Sequence, residues 1–138
     1  MASRLNPYIS FDGNAREALE YYQGVFGGNL TISTFGEFGM QDTPDADKVM
    51  HGMLETDRGF TLMAADTPQG QEYRPGTNIA VSLSGDDDMD LRTYWDKLAD
   101  GGTVTVPFEK QMWGDEFGFV VDRFGTGWMV DIVHPQQT

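Results

Sequence analysis

The stretch Phe117–Val133 reads FGFVVDRFGTGWMVDIV, and the stretch His51–Asp66 reads HGMLETDRGFTLMAAD. Each is a β-rich run, then Asp-Arg with a glycine, then a second β-rich run. β-branched and aromatic residues around Asp and Gly punctuation predict a hairpin. One hairpin written twice points to an internal repeat, and the flanking sequence carries it further. Tyr21-Tyr22 answers Tyr94-Trp95, Gly28 answers Gly101 and Phe35 answers Phe108, all 73 positions apart. Asp57-Arg58 answers Asp122-Arg123 at 65, and Leu62-Met63 answers Trp128-Met129 at 66.

The elements between these landmarks fall in the same order in both halves. Residues 7–11 (PYISF) predict a strand, closed by Asp12-Gly13-Asn14. Asp12 or Asn14 offers a side-chain acceptor to cap the next helix. Residues 15–26 predict that helix, since Ala18, Leu19, Tyr22, Val25 and Phe26 form one stripe at helical spacing. Gly27-Gly28 ends it. A strand over 30–35, a loop over 36–47 and the hairpin 48–56/60–65 follow. Residues 67–76 (TPQGQEYRPG) are polar with two prolines and read as a linker. Then come a strand over 78–83, Asp86-Asp87-Asp88 leading into a helix through Leu98, a strand over 103–108, and the hairpin 117–122/128–133. Acids at the start of that helix complement its positive end. The reading is one domain over 1–138, with βαβββ modules at 5–66 and 77–134 joined by 67–76. Neither module can bury a sheet face alone. Two four-stranded sheets side by side would curl into an incomplete barrel around a shared cavity.

The totals exclude several classes. The 138 residues hold 22 acidic and 9 basic side chains, a net charge of −13. Phosphate neutralisation needs clustered Lys and Arg, so no nucleic-acid partner is expected. There is no cysteine, hence no disulfide, thiolate ligand or thiol nucleophile. No window approaches a membrane span and the first residues contain no signal-peptide core, so no membrane partner and a cytoplasmic location are expected. No nucleotide-binding, nucleophilic-serine or HExxH motif is present.

The duplicated pattern resembles the vicinal oxygen chelate superfamily of glyoxalases, bleomycin-resistance proteins and extradiol dioxygenases. NPYISFDGNAREALEYYQGVFGG, VMHGML and above all MWGDEFGFVVDRFGTGWMVDI resemble its PhnB-like branch, formerly often labelled 3-demethylubiquinone methyltransferase-like. The resemblance implies an α+β fold of glyoxalase-like tandem βαβββ modules forming an incomplete barrel, and a homodimer. It also implies four positions where the superfamily's metal enzymes hold a divalent cation. Carried over, these fall near Pro7, at Asn78, at Met63 or Ala65, and at Asp131. Pro and Met are not ligands for a hard metal, so no metal site and no cofactor are expected.

Catalytic candidates are His51 and Asp131. His51 shares a strand face with Met53 and Glu55 and reads either as a pocket base or as a structural histidine. Asp131 lies inside an apolar strand, where a carboxylate needs a partner or its pKa rises. It reads as a pocket acid or as a structural one. Pro7, Ile9, Phe11, Met63, Asn78 and Trp113 are the expected substrate-binding residues, with a small-molecule ligand as partner. Asp115 and Asp122 read as turn-makers, and His134 falls outside the pocket. The expected function is binding of a small apolar or aromatic molecule without the superfamily's metal site. The alternative is a divalent-metal-dependent glyoxalase- or dioxygenase-like lyase or oxidoreductase; whether the chain is an enzyme stays open.

Overall fold

The computed structural model describes residues 3–39 and 41–134. The chain divides into two compact units, Met1–Pro75 and Gly76–Thr138. Each contains a four-stranded mixed sheet with one helix of 12 residues.

In the first unit β1 (Tyr8–Phe11), α1 (Ala15–Phe26), β2 (Asn29–Thr34), β3 (Val49–Glu55) and β4 (Thr61–Asp66) give the sheet order β1-β4-β3-β2. A short 3₁₀ turn, Gly36–Phe38, interrupts the loop read over 36–47. The stripe on α1 is real: Ala15, Ala18, Leu19, Tyr22 and Val25 are buried. They cover the sheet face that carries Phe11, Leu54, Leu62 and Ala64, all buried as well. Neither Asn14 nor Asp12 caps α1. The helix start is held instead by Asp66 at the far end of β4. Its Oδ1 accepts the Gly13 and Ala15 N–H groups at 2.9 Å, and its Oδ2 accepts the Val49 N–H at 2.9 Å. One carboxylate thus joins the β1–α1 turn to the start of β3. It serves the helix's free donors better than a flanking side chain, because the same group also closes the sheet.

In the second unit β5 (Val81–Gly85), α2 (Asp88–Ala99), β6 (Thr103–Lys110), β7 (Glu116–Val121) and β8 (Gly127–Ile132) repeat the order as β5-β8-β7-β6. Leu91, Tyr94, Trp95 and Leu98 are the buried stripe of α2. They pack over Leu83, Val120, Trp128, Val130 and Ile132. The strand expected at 78–83 lies three residues later, because pairing with β8 begins at Val81↔Trp128. Asn78 therefore stands outside the sheet, and Ile79 stays 83% exposed. Backbone pairing, rather than local β preference, sets this boundary. β6 runs on to Lys110 through Pro107, which an edge strand tolerates, and its register shifts twice.

The hairpin repeat is offset by 66 throughout, which corrects the matching of Asp57-Arg58 to Asp122-Arg123. Gly59 N–H donates to the Thr56 carbonyl as Gly125 N–H donates to that of Asp122, each at 3.0 Å. Thr56 and Asp122 are thus equivalent, and Asp57 answers Arg123. Asp122 is the turn-maker expected: its Oδ1 accepts the Phe124 and Thr126 N–H groups, and its Oδ2 the Trp128 indole N–H at 2.8 Å. The offset also reveals a match the sequence reading passed over. Gly52 and Gly118, 66 apart, are where each helix presses closest to its sheet. A Cβ on Gly52 would strike Leu19 Cδ1; one on Gly118 would lie 2.7 Å from the Trp95 ring and 2.9 Å from Phe108 Cα.

Candidate functional site

Alternate residues of a strand point to opposite faces, so register decides which side chains meet. In the second unit the helix-free face carries the row Ser84–Asp131–Phe117–Glu109, set by Ser84↔Asp131, Phe117↔Asp131 and Glu109↔Phe117. Beside it runs Ser82–Met129–Phe119–Val106. Trp113 stands at the tip of the β6–β7 hairpin, 55% exposed, with its ring edge-on to Phe117 at 6.1 Å. Gln111 fixes that tip. Its N–H donates to the Asp115 carbonyl at 2.8 Å, and its Nε2 to the carbonyls of Glu109 and Phe117.

Asp131 is the unusual residue of this face. Its Oδ1 exposes less than 1 Å² and has no hydrogen-bond partner among the described residues. Burial pushes its pKa up, and a hydrogen bond and the charge of the Asp115 carboxyl push it further. A carboxyl close by disfavours a second negative charge, so both causes act on Asp131 in the same direction. Asp115, expected only to make a turn, is therefore part of the site. The sequence carried no distinctive signal for it: Asp115 lies just before Glu116, where β7 and its pairing begin.

The other candidates separate. In the first unit the helix-free face carries Tyr8–Met63–Met53–Thr31. Ser10 pairs Ala65 and Ser33 pairs His51 in the next row. His51 is half-buried, with its ring stacked near Tyr8 at 6.5 Å and 25°. By the 66-residue offset Ala65 stands where Asp131 does, and His51 where Phe117 does. Ile9 and Phe11 do not share a face with Met63, contrary to expectation. Tyr8, not Ile9, is opposite Met63, and Phe11 is 1% exposed on the helix side. Pro7 precedes β1, its carbonyl accepting the Met63 N–H at 3.0 Å. Asn78 is exposed and outside its strand. His134 lies near Glu116 Oε2 at 3.0 Å, on the helix side. Arg92 first and His134 second hold the Glu116 carboxyl down to about 2.

On β1, β4, β5 and β8 the helix-free positions include Tyr8, Ser10, Thr61, Met63, Ala65, Ser82, Ser84, Met129 and Asp131. Asp131 is the only carboxylate among these. No three His, Asp or Glu side chains converge among the described residues. A hard divalent cation needs several oxygen or imidazole ligands, and this donor set does not fit one.

Paired βαβββ units of this kind define the glyoxalase/bleomycin resistance/dioxygenase superfamily fold. A superfamily member from Sphaerobacter thermophilus matches with TM-score 0.56 and 18% identity over 94% of this chain and 97% of its own. Within that fold the chain belongs to the PhnB-like family described as 3-demethylubiquinone-9 3-methyltransferase, which matches residues 3–131. Protein YjdN of Escherichia coli is 30% identical over 146 residues, covering 97% of this chain and 98% of that protein. The crystal structure of PA1353 from Pseudomonas aeruginosa is similar with TM-score 0.81 and 34% identity, over 94% of this chain and 97% of that one. No helix among the described residues is long and apolar enough to cross a membrane.

Proposed function

We propose that the protein binds a small, largely aromatic or apolar molecule against the helix-free face of its second unit, without a metal ion. The observation that carries this is Asp131, whose unpartnered, buried oxygen sits beside Phe117, Met129 and the half-exposed Trp113. An apolar wall with a few placed polar groups is the ordinary make-up of a small-molecule site. His51, Tyr8, Met53 and Met63 form a second, softer surface of the same kind in the first unit, and thioethers adapt readily to varied ligands. The methyl transfer in the family's description finds no support in the residues, since no glycine-rich loop for a methyl-donor nucleotide is present. The reading includes a cytoplasmic homodimer, as the family resemblance implies. The exposed edge strand β6, with Val104 and Val106 open to solvent, offers unpaired backbone groups to a partner.

The test is a titration of the full chain with a neutral aromatic, 2-(1-naphthyl)ethanol, followed by tryptophan fluorescence. Trp95 and Trp128 are buried, so Trp113 is the reporter. Saturable quenching is expected, and calorimetry should show Trp113→Ala binding roughly tenfold more weakly. Unsaturable quenching, with no binding heat in either protein, would sink the binding reading. Metal analysis after purification without tag or chelator is expected to give well under one ion per chain. Stoichiometric zinc, nickel or iron would restore the metal-dependent alternative. Sedimentation velocity tests the dimer, and a monomer at micromolar concentration would remove it.

A further inference from the structure

The helix-free face of the first unit gathers soft donors. Met53 and Met63 are directly opposed across β3 and β4. Opposed side chains start about 4.5–5.5 Å apart at Cβ, and the three rotatable bonds of each thioether can close the rest. His51 stands two residues before Met53 on the same strand, so it shares their face. Tyr8 lies on β1 and His51 on β3, with β4 between them. Strands two apart are about 9–10 Å from each other, yet these two rings are 6.5 Å apart. Both rings therefore lean inward over β4, the strand that carries Met63. All three donors are half-buried, within reach of solvent. His51 has no hydrogen bond or ion pair among the described residues, so its ring nitrogens are uncommitted. The carboxylate on that face of β3, Glu55, lies beyond Met53 and meets Arg4 at 3.6 Å.

The second unit shows what the fold itself requires at these positions. By the 66-residue offset Phe117 stands for His51 and Phe119 for Met53, and Met63 alone keeps its counterpart, Met129. The same sheet closes there with two phenylalanines, so packing does not demand a histidine and a second thioether. Two thioethers and one neutral imidazole suit a soft monovalent ion far better than a hard divalent one. The chain has no cysteine, so no thiolate competes for such an ion. We infer that Met53, Met63 and His51 form a site for monovalent copper on the first unit. The two sulfurs and one neutral ring nitrogen of His51 are the ligands, and the Tyr8 ring flanks the imidazole. The site goes beyond the aromatic-binding role proposed for the second unit and shares no ligand with it, so either can fail without the other.

The experiment uses the full chain under nitrogen, because copper(I) passes to copper(II) in air. Copper(I) held as its coloured bicinchoninate complex is titrated with protein, and loss of colour reports transfer. Transfer of about one copper per chain is expected. Met53→Leu and Met63→Leu keep side-chain volume, and each should weaken binding at least roughly tenfold, the scale of losing even an outer-shell partner. His51→Phe, which places the second unit's own residue there, should weaken it as much. Met89→Leu and Met112→Leu, at exposed positions away from this face, should leave it unchanged. A second measurement needs no variant to bind. Silver(I), a soft monovalent ion stable in air, is added to the natural chain carrying isotope-labelled methionine methyls. The two signals missing from the Met53→Leu and Met63→Leu spectra should shift while the others stay. Zinc(II) should produce neither effect. No transfer of copper, transfer that both Leu variants retain in full, silver shifts confined to other methionines, or the same response to zinc(II) would overturn the site.

Discussion

At the scale of single residues, two aspartates show how surroundings decide a carboxyl's work. Asp66 accepts three backbone N–H groups and is 4% exposed. Asp66→Asn sets an NH₂ group against donors, and the cost is expected near ~3 kcal/mol, visible as a lowered urea midpoint at unchanged slope. Asp131 is the opposite case, with too few donors. Its raised pKa means the folded chain holds this proton more tightly than the unfolded chain. The sign follows from linkage. That contribution is fully present below the unfolded carboxyl's pKa and disappears as pH rises through the folded one. The stability of the natural chain relative to Asp131→Asn should therefore fall as pH is raised from 3 to 7. Paired denaturation curves measure it; a difference that is flat or rises with pH would contradict the raised pKa. Asp131 could be picked from the sequence because an acid in an apolar strand is conspicuous. Asp115 could not, because it looked like any acid beside a glycine.

At the scale of elements, each helix settles on its sheet at a glycine. Gly118→Ala should destabilise more than Gly52→Ala. The first would force a methyl against a rigid indole and the Phe108 backbone, the second against the movable end of Leu19. Costs of about 2–3 and about 1 kcal/mol are expected, within the usual range for overpacking, and thermal unfolding ranks them. The helices were legible because a 3.6-residue stripe repeats over three turns and averages out local exceptions. β5 was misplaced by three residues because Asn78, Ile79 and Ala80 have no less claim to a strand than Ser84 and Gly85. Only their failure to pair with β8 excludes them.

At the scale of the whole molecule the dominant quantity is charge. With 22 acidic and 9 basic side chains, self-repulsion opposes compactness at low ionic strength. The melting temperature should rise by a few degrees as sodium chloride goes from 10 to 500 mM at pH 7, since screening relieves repulsion faster than it weakens the few exposed ion pairs. A fall over that range would mean that the ion pairs outweigh the repulsion.

The sequence by itself determined the duplicated βαβββ order, the two helices and the hairpin turns, because periodicity and turn chemistry are local. It also determined the family, through segments such as MWGDEFGFVVDRFGTGWMVDI. The tertiary structure decided which side chains share a face. A strand's two faces differ by one residue, so Phe11 went beneath α1 while Met63 turned the other way. The turn before β7 also brought Asp115 near enough to Asp131 to raise its pKa. Neither outcome is written in the local pattern, because register is settled only when a helix covers one side of the sheet and hydrogen bonds fix each strand against its neighbour.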